Sequence, residues 1–159
     1  MVRRATESDL PRALAIYDSA RRFMRANGNT VQWLNGYPSE VLLRQDTARG
    51  DLYVMEDGGV IYGVFAFIIG DDPTYQTIHG ACRRCPAGAA CRRAYRCPAT
   101  RRGVLAEAVD WALTRLPHLR ADTHEANVTM QRCLERAGFV RCGVIHVADG
   151  TPRLAYERI

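Results

Sequence analysis

Six consecutive residues, Asp122-Thr123-His124-Glu125-Ala126-Asn127, gather much of the chemistry this chain can offer. An imidazole titrates near neutrality, so His124 could take up or release a proton as it stands, whereas Glu125 would need burial or an acidic neighbour to raise it into range. The same side chains could equally close a hydrogen-bonded turn. Asn127 precedes Val128, Met130, Cys133, Leu134 and Ala137, which recur at helical spacing until Gly138 stops the run. It therefore suits the N-cap of a helix, a role that uses its side-chain oxygen and leaves its amide donors free. Leu119 to Asp122 reads as a strand, and a strand's carboxyl end running into a helix is where ligands and catalytic groups collect in open α/β sheets. Beyond the helix, Val144-Ile145 and Leu154-Ala155-Tyr156 flank Asp149-Gly150, a hairpin signal.

Other elements must position this cluster. Val2 to Ala5 can form a first strand. Thr6 or Ser8 can cap a helix carrying Leu10, Ala13, Leu14, Ile16, Tyr17, Ala20, Phe23 and Met24 on one face, ended by Asn27-Gly28. Asn29 to Pro38 is a loop with two aromatics, Trp33 and Tyr37, and Ser39 caps a short helix to about Arg49. Leu52 to Met55 and Val60 to Ile69 pair through Asp57-Gly58, and the second run is apolar enough to be buried on both faces. Tyr75 to His79 extends as a further strand, and Val104 to Leu116 has the period of a helix. The predicted order is βααβββαβαββ in one domain spanning residues 1–159.

The chain has 159 residues, 47% hydrophobic and 25% charged, which predicts an ordinary soluble globule that buries about 70% of its unfolded surface. The longest apolar run, Val64 to Ile69, is the length of a strand and not of a membrane span. The N-terminus has no signal-peptide core, so a cytoplasmic enzyme is expected and a membrane partner is not. The net charge of +5 belongs to one segment. Seven arginines and no acid lie between Cys82 and Arg102, which leaves −2 for the remainder, so nucleic acid is not an expected partner. All 22 basic residues are arginine, consistent with a GC-rich coding sequence.

The segment from Leu119 to Arg158, LRADTHEANVTMQRCLERAGFVRCGVIHVADGTPRLAYER, resembles the C-terminal half of the Gcn5-related N-acetyltransferases (GNAT). It is most similar to a small bacterial subfamily ending in DTHEDN…MQ…LE..GF..CGII…DG..RLAYE. The likeness extends to Gln32-Trp33, Gly36-Tyr37-Pro38, Asp51-Leu52-Tyr53-Val54 and Asp72-Pro73-Thr74-Tyr75, and lapses from about Cys82 to Pro98. The resemblance implies an α+β GNAT fold, a mixed and mostly antiparallel central sheet flanked by helices on both faces. It implies acetyl-CoA as cofactor and acetyl transfer to a primary amine of a small molecule or peptide, with a homodimer as an allowed assembly and no metal at the catalytic site.

In the resembling enzymes the cofactor pyrophosphate sits on backbone N–H groups at a helix start, where unsatisfied donors and the helix dipole favour an anion. The corresponding residues are Thr100, Arg101, Arg102, Gly103, Val104 and Leu105, with Gly103 at the central glycine, Thr100 in place of the usual Gln or Arg, and Leu105 in place of a small residue. Asn127 matches an Asn that contacts the pantetheine arm. Gln32, Trp33 and Tyr37 fall where the acceptor site forms, oxyanion donors are expected between Tyr95 and Ala99, and His124 and Glu125 are the candidate bases. Leu134 occupies the position of a Tyr that serves many relatives as general acid, and it has no proton to give.

The stretch from Ala81 to Pro98 has neither strand alternation nor helix period. Cys82, Cys85, Cys91 and Cys97 supply four thiolates, the number for a structural zinc, although the second pair is spaced too widely for a typical knuckle. An arginine-rich binding patch is a second reading. A local frame shift in the coding DNA, later restored, is a third; it would leave a catalytically impaired GNAT-fold protein. A zinc-stabilised interaction module follows from the first. Cys133 and Cys142 are expected to be buried thiols.

Overall fold

A computed structural model describes residues 1–80, 92–95 and 103–159, the second of these as backbone. Its elements are β1 (Val2–Arg4), α1 (Leu10–Ala26), α2 (Glu40–Arg49), β2 (Leu52–Asp57), β3 (Val60–Ile68), β4 (Arg92–Tyr95), α3 (Val104–Leu113), β5 (Leu119–Thr123), α4 (Val128–Arg136), β6 (Val140–His146) and β7 (Pro152–Arg158). The strands form one sheet in the order β1-β2-β3-β4-β5-β7-β6. Its neighbouring pairs are antiparallel except β4 with β5, which is parallel. The α+β class and the mostly antiparallel sheet are as expected.

Local chemistry sets most boundaries. Ser39 Oγ accepts from Leu42 N–H at 3.2 Å and starts α2, and Gly50 ends it in the left-handed region at φ 76°. Ahead of α1, Asp9 accepts from Thr6 N–H and Thr6 Oγ1, both at 2.8 Å, and pairs with Arg3 at 2.7 Å. The Arg3 guanidinium holds the Asp9 carboxyl far below the usual carboxylate range. Gly58 and Gly59 both have positive φ, as a two-residue hairpin turn between β2 and β3 requires.

Alternating residues of β2 and β3 feed two cores, one on each face of the sheet. Leu52, Val54, Val64 and Ala66 pack with Leu10, Ile16 and Tyr17 of α1 and Leu43 of α2. Tyr53, Met55, Phe65 and Phe67 pack on the other face with Val104, Val109 and Ala112 of α3 and Leu134 of α4. Trp111 joins this second core with ring centroids 4.6 Å from Tyr53 and 5.5 Å from Phe65, and the Arg115 guanidinium covers its outer face at 3.6 Å. A bulge shifts the register so that Met55 pairs with Gly63 and Glu56 with Ile61. Tyr62 is the extra residue, and its hydroxyl donates to Glu107 Oε1 on α3 at 2.6 Å.

Two expectations are corrected. Tyr75 to His79 is not a strand: Pro73–Tyr75 forms a 3₁₀ turn, and among the described residues the run pairs with the sheet through one isolated bridge, His79 to Val144, while Tyr75 packs on Ile145 and Ala155. The proline and the Asp72 side chain, which accepts from Thr74 N–H at 2.9 Å, favour the turn over extension. The strand between β3 and α3 is instead β4, inside the arginine-rich stretch that shows no strand pattern. There the pairing of β3 on one side and β5 on the other outweighs local sequence. α3 also stops at Leu113, short of Leu116.

Candidate active site

Among the described residues, the parallel pairing of β4 with β5 covers Arg92 with Leu119 and Arg93 with Arg120 alone. Yet β4 runs on to Tyr95, still paired with Ala66 of β3, and β5 runs on to Thr123, still paired with Leu154 of β7. The two strands therefore part toward their carboxyl ends. A cleft of about 1590 Å³ is lined by residues from this end of β5 and from the starts of α3 and α4. Its wall also includes the end of α1, the loop that follows, and the hairpin between β6 and β7.

At one part of the wall α3 begins. Its N-cap is Gly103 at φ 85°, with no side chain capping the helix. A Cβ at Gly103 would meet nothing within 4 Å, so glycine is needed there for its backbone angle and not for space. Val104, Leu105 and Ala106 follow it along the cleft. The first N–H groups of a helix without a side-chain cap form a place for an anion. Thr100, Arg101 and Arg102 lie outside the described residues, as do Cys82, Cys85, Cys91 and Cys97 and the expected oxyanion donors beyond Tyr95.

At the start of α4, Asn127 is buried and Oδ1 accepts from Met130 N–H at 3.1 Å, the cap expected from sequence. Its amide donors are not free, however. Nδ2 donates to Gln32 Oε1 at 3.1 Å and lies 3.6 Å from Met24 Sδ. Gln32 Oε1 also accepts from Nδ2 of Asn29, a fully buried residue, at 3.0 Å, and Asn29 Oδ1 accepts from Gln32 N–H at 3.2 Å. One amide oxygen thus ties the loop after α1 to the first turn of α4. Trp33, at φ 59°, packs edge-on against Tyr17 at 5.7 Å. Arg21 Nη1 donates to the carbonyls of Gly36 and Tyr37 at 3.3 and 2.9 Å and holds the loop to α1. Gln32, Trp33, Tyr37, Gly103, Val104, Leu105 and Asn127 thereby meet on one cleft.

His124 and Glu125 lie immediately past the end of β5 and are not part of the cleft wall, whereas Asp122 and Thr123 are. His124 Nδ1 accepts from Ala126 N–H at 3.1 Å, which makes the neutral ring an Nε2–H donor with its lone pair engaged. Burial lowers the His124 pKa below its ordinary value, Arg153 lowers it further, and Glu125 opposes both. Glu125 is exposed, and its carbonyl accepts from Gln131 Nε2 at 2.6 Å. Leu134 is buried in the core and also lines the cleft. Of the two cysteines expected to be buried, Cys142 is; Cys133 is half-buried on the cleft wall.

Sequence reasoning gave no role to Asn29 or Arg153, and none to Thr123 beyond its place in the polar cluster. The hydroxyl of Thr123 is buried and has no hydrogen-bond partner among the described residues. Such an orphan costs about 1–3 kcal/mol until something supplies a partner, and an apolar isostere removes the cost. Thr123→Val is therefore expected to leave thermal stability unchanged or raised while weakening ligand binding in the cleft. A melting temperature several degrees lower would refute this.

No protein-family model and no curated protein matches the chain. Among solved structures it is similar to a GNAT-family acetyltransferase of Streptococcus agalactiae 2603, 27% identical over 100% of this chain and 94% of that one, with a TM-score of 0.89. It also shares its fold with a GNAT-family acetyltransferase of Listeria monocytogenes 4b F2365 (18% identity, 99% and 93% covered, TM-score 0.70). A ribosomal-protein-alanine N-acetyltransferase of Brucella melitensis is 24% identical, with 100% and 99% covered and a TM-score of 0.56. With the parted strands and the glycine-capped helix in place along a single cleft, the chain has the fold of the GNAT-family acetyltransferases.

Proposed function

We propose that the protein is an acetyl-CoA-dependent N-acetyltransferase acting on a primary amine of a small molecule or peptide. The observation that carries this reading is the parting of β4 from β5 beside an uncapped helix start, on a cleft shared with the loop after α1. Acetyl-CoA, when bound, supplies the acetyl group as an activated thioester. The first N–H groups of α3, set by Gly103, would hold its pyrophosphate together with Thr100, Arg101 and Arg102. Asn127 would reach its pantetheine arm by exchanging Gln32 Oε1 for a carbonyl of the arm. Thr123 Oγ1 is placed on the cleft wall to give or accept one further hydrogen bond.

The acceptor amine enters beside Gln32, Trp33 and Tyr37. We assign removal of its proton to His124, which is kept neutral by burial and by Arg153 and takes the proton at Nδ1 in exchange for the Ala126 N–H. Leu134 supplies no proton on the facing helix, so proton handling rests on the end of β5.

Calorimetric titration with acetyl-CoA tests the reading. A micromolar constant, about −8 kcal/mol, is expected. Gly103→Ala, which forces a side chain into a left-handed backbone angle, is expected to weaken it about tenfold or more. No binding at millimolar acetyl-CoA would discard the enzyme and leave the catalytically impaired form.

A further inference from the structure

Three features of the cleft beyond the cofactor region are unexplained by acetyl transfer as such. The first is an apolar rim. Phe23 at the end of α1 and Val31, Leu34 and Tyr37 in the following loop line the cleft while remaining 55, 46, 50 and 42% exposed. Large apolar side chains left in water together at a concave site mark a binding surface. The rim is held in place, because Arg21 fixes the Gly36 and Tyr37 carbonyls and Asn29 fixes Gln32.

The second is Arg153, at the start of β7 on the same wall. It is half-buried, its hydrogen bond is a weak one to the Pro152 carbonyl at 3.2 Å, and among the described residues it forms no ion pair. A planar fork of donors in a cleft, without a carboxylate partner, is suited to a carboxylate ligand. The third is Asp149, also on the wall. Its carboxyl accepts from Thr151 N–H at 2.9 Å, and hydrogen bonds from the Thr151 side chain and then its backbone lower its pKa below the ordinary range. It lies within the field of Arg153 but is not paired with it, and it would repel a second acid group on a ligand.

Resting on the acetyltransferase reading, we propose that the acceptor is a free α-amino acid with an apolar side chain, its carboxylate on Arg153 and its side chain against Phe23, Val31, Leu34 and Tyr37. A peptide N-terminus has an amide where this carboxylate would be and leaves Arg153 unmatched. A dicarboxylic amino acid brings its second charge toward Asp149.

The test is CoA-thiol release at saturating acetyl-CoA with L-phenylalanine, L-leucine, L-phenylalaninamide, a Phe-Gly dipeptide and L-glutamate, alongside calorimetry with acetyl-CoA alone. Phenylalanine and leucine are expected to exceed the amide, the dipeptide and glutamate by about tenfold or more in kcat/KM. Arg153→Gln is expected to collapse the acid-over-amide ratio to within about threefold, a change that a purely structural role for Arg153 would not produce. An amide or dipeptide used as well as the free acid overturns the proposal, as does a ratio unchanged by Arg153→Gln. Turnover of none of the five with acetyl-CoA still binding overturns the acceptor class alone. Failure of acetyl-CoA to bind overturns the acetyltransferase reading and the acceptor class with it.

Discussion

Gly63→Ala is expected to cost about 1–3 kcal/mol of stability, and Gly63→Val more, because β3 has no room for a side chain at that position. A Cβ there would stand 2.7 Å from Val104 Cγ1 and 3.0 Å from Met55 Sδ. Met55 is unbranched and can shift. Val104 is β-branched, fully buried and stiff about χ1, so relief must come from moving the backbone of α3's first turn. That turn follows Gly103 on the cleft wall, and the effect should therefore reach the ligand: acetyl-CoA affinity falls along with stability. Val104→Ala in the Gly63→Ala background removes the clashing methyl and should recover part of both losses. Denaturant unfolding of the two single variants and the double variant gives the coupling. Full stability of Gly63→Ala, or no recovery in the double variant, would contradict the argument.

His124→Gln should lower kcat/KM by about 10²–10⁴-fold while leaving acetyl-CoA affinity near that of the parent. Glutamine preserves much of the size of the ring and a polar group for the Ala126 N–H, but it cannot take a proton. The pH dependence has a definite sign. Desolvation disfavours the imidazolium, and Arg153 adds repulsion, so the folded pKa lies below the ordinary 6.5. The neutral, proton-accepting ring is thus present at and above neutrality, and activity is lost as pH falls through a value below 6.5. Glu125→Gln removes the charge that favours the imidazolium and should move this acidic limb further down. An acidic limb unaffected by either substitution, or a larger loss in Asp122→Asn, would transfer the role from His124 to Asp122.

Much of this architecture could be read from local chemistry. Asp57-Gly58 and Asp149-Gly150 mark hairpins because only certain residues accept the turn angles, and Ser39, Asn127, Gly28 and Gly138 mark helix ends for the same kind of reason. The alternation of Leu52, Val54 against Tyr53, Met55 places two cores on two faces. β4 was implied by the family resemblance but not by local pattern, since Arg-Arg-Ala-Tyr carries none and its strand state is imposed by neighbours distant in sequence. Gln32, Trp33, Tyr37, Gly103 and Asn127, named from the family resemblance, line one cleft. Their partners did not follow from types. That Asn127 gives its amide to Gln32, 95 residues away, and that Arg153 forms no ion pair among the described residues are facts of three-dimensional placement. The lone pair of His124 turned toward Ala126 depends on a ring rotation that no spacing rule predicts.

The short parallel ladder between β4 and β5 has a mechanical consequence. On one side stand β1 to β4, on the other β5 to β7, and each half is internally laced by longer antiparallel ladders. Among the described residues, the two halves of the sheet are joined through two residue pairs, Arg92 with Leu119 and Arg93 with Arg120. The shortest ladder among the described residues therefore runs into the mouth of the cleft, and local opening along it needs less free energy than unravelling either half. A ligand seated across this ladder acts as a rivet: at 100 times its dissociation constant it adds about 2.7 kcal/mol against separation. Cohesion of the sheet and occupancy of the cleft are then one equilibrium seen from two sides.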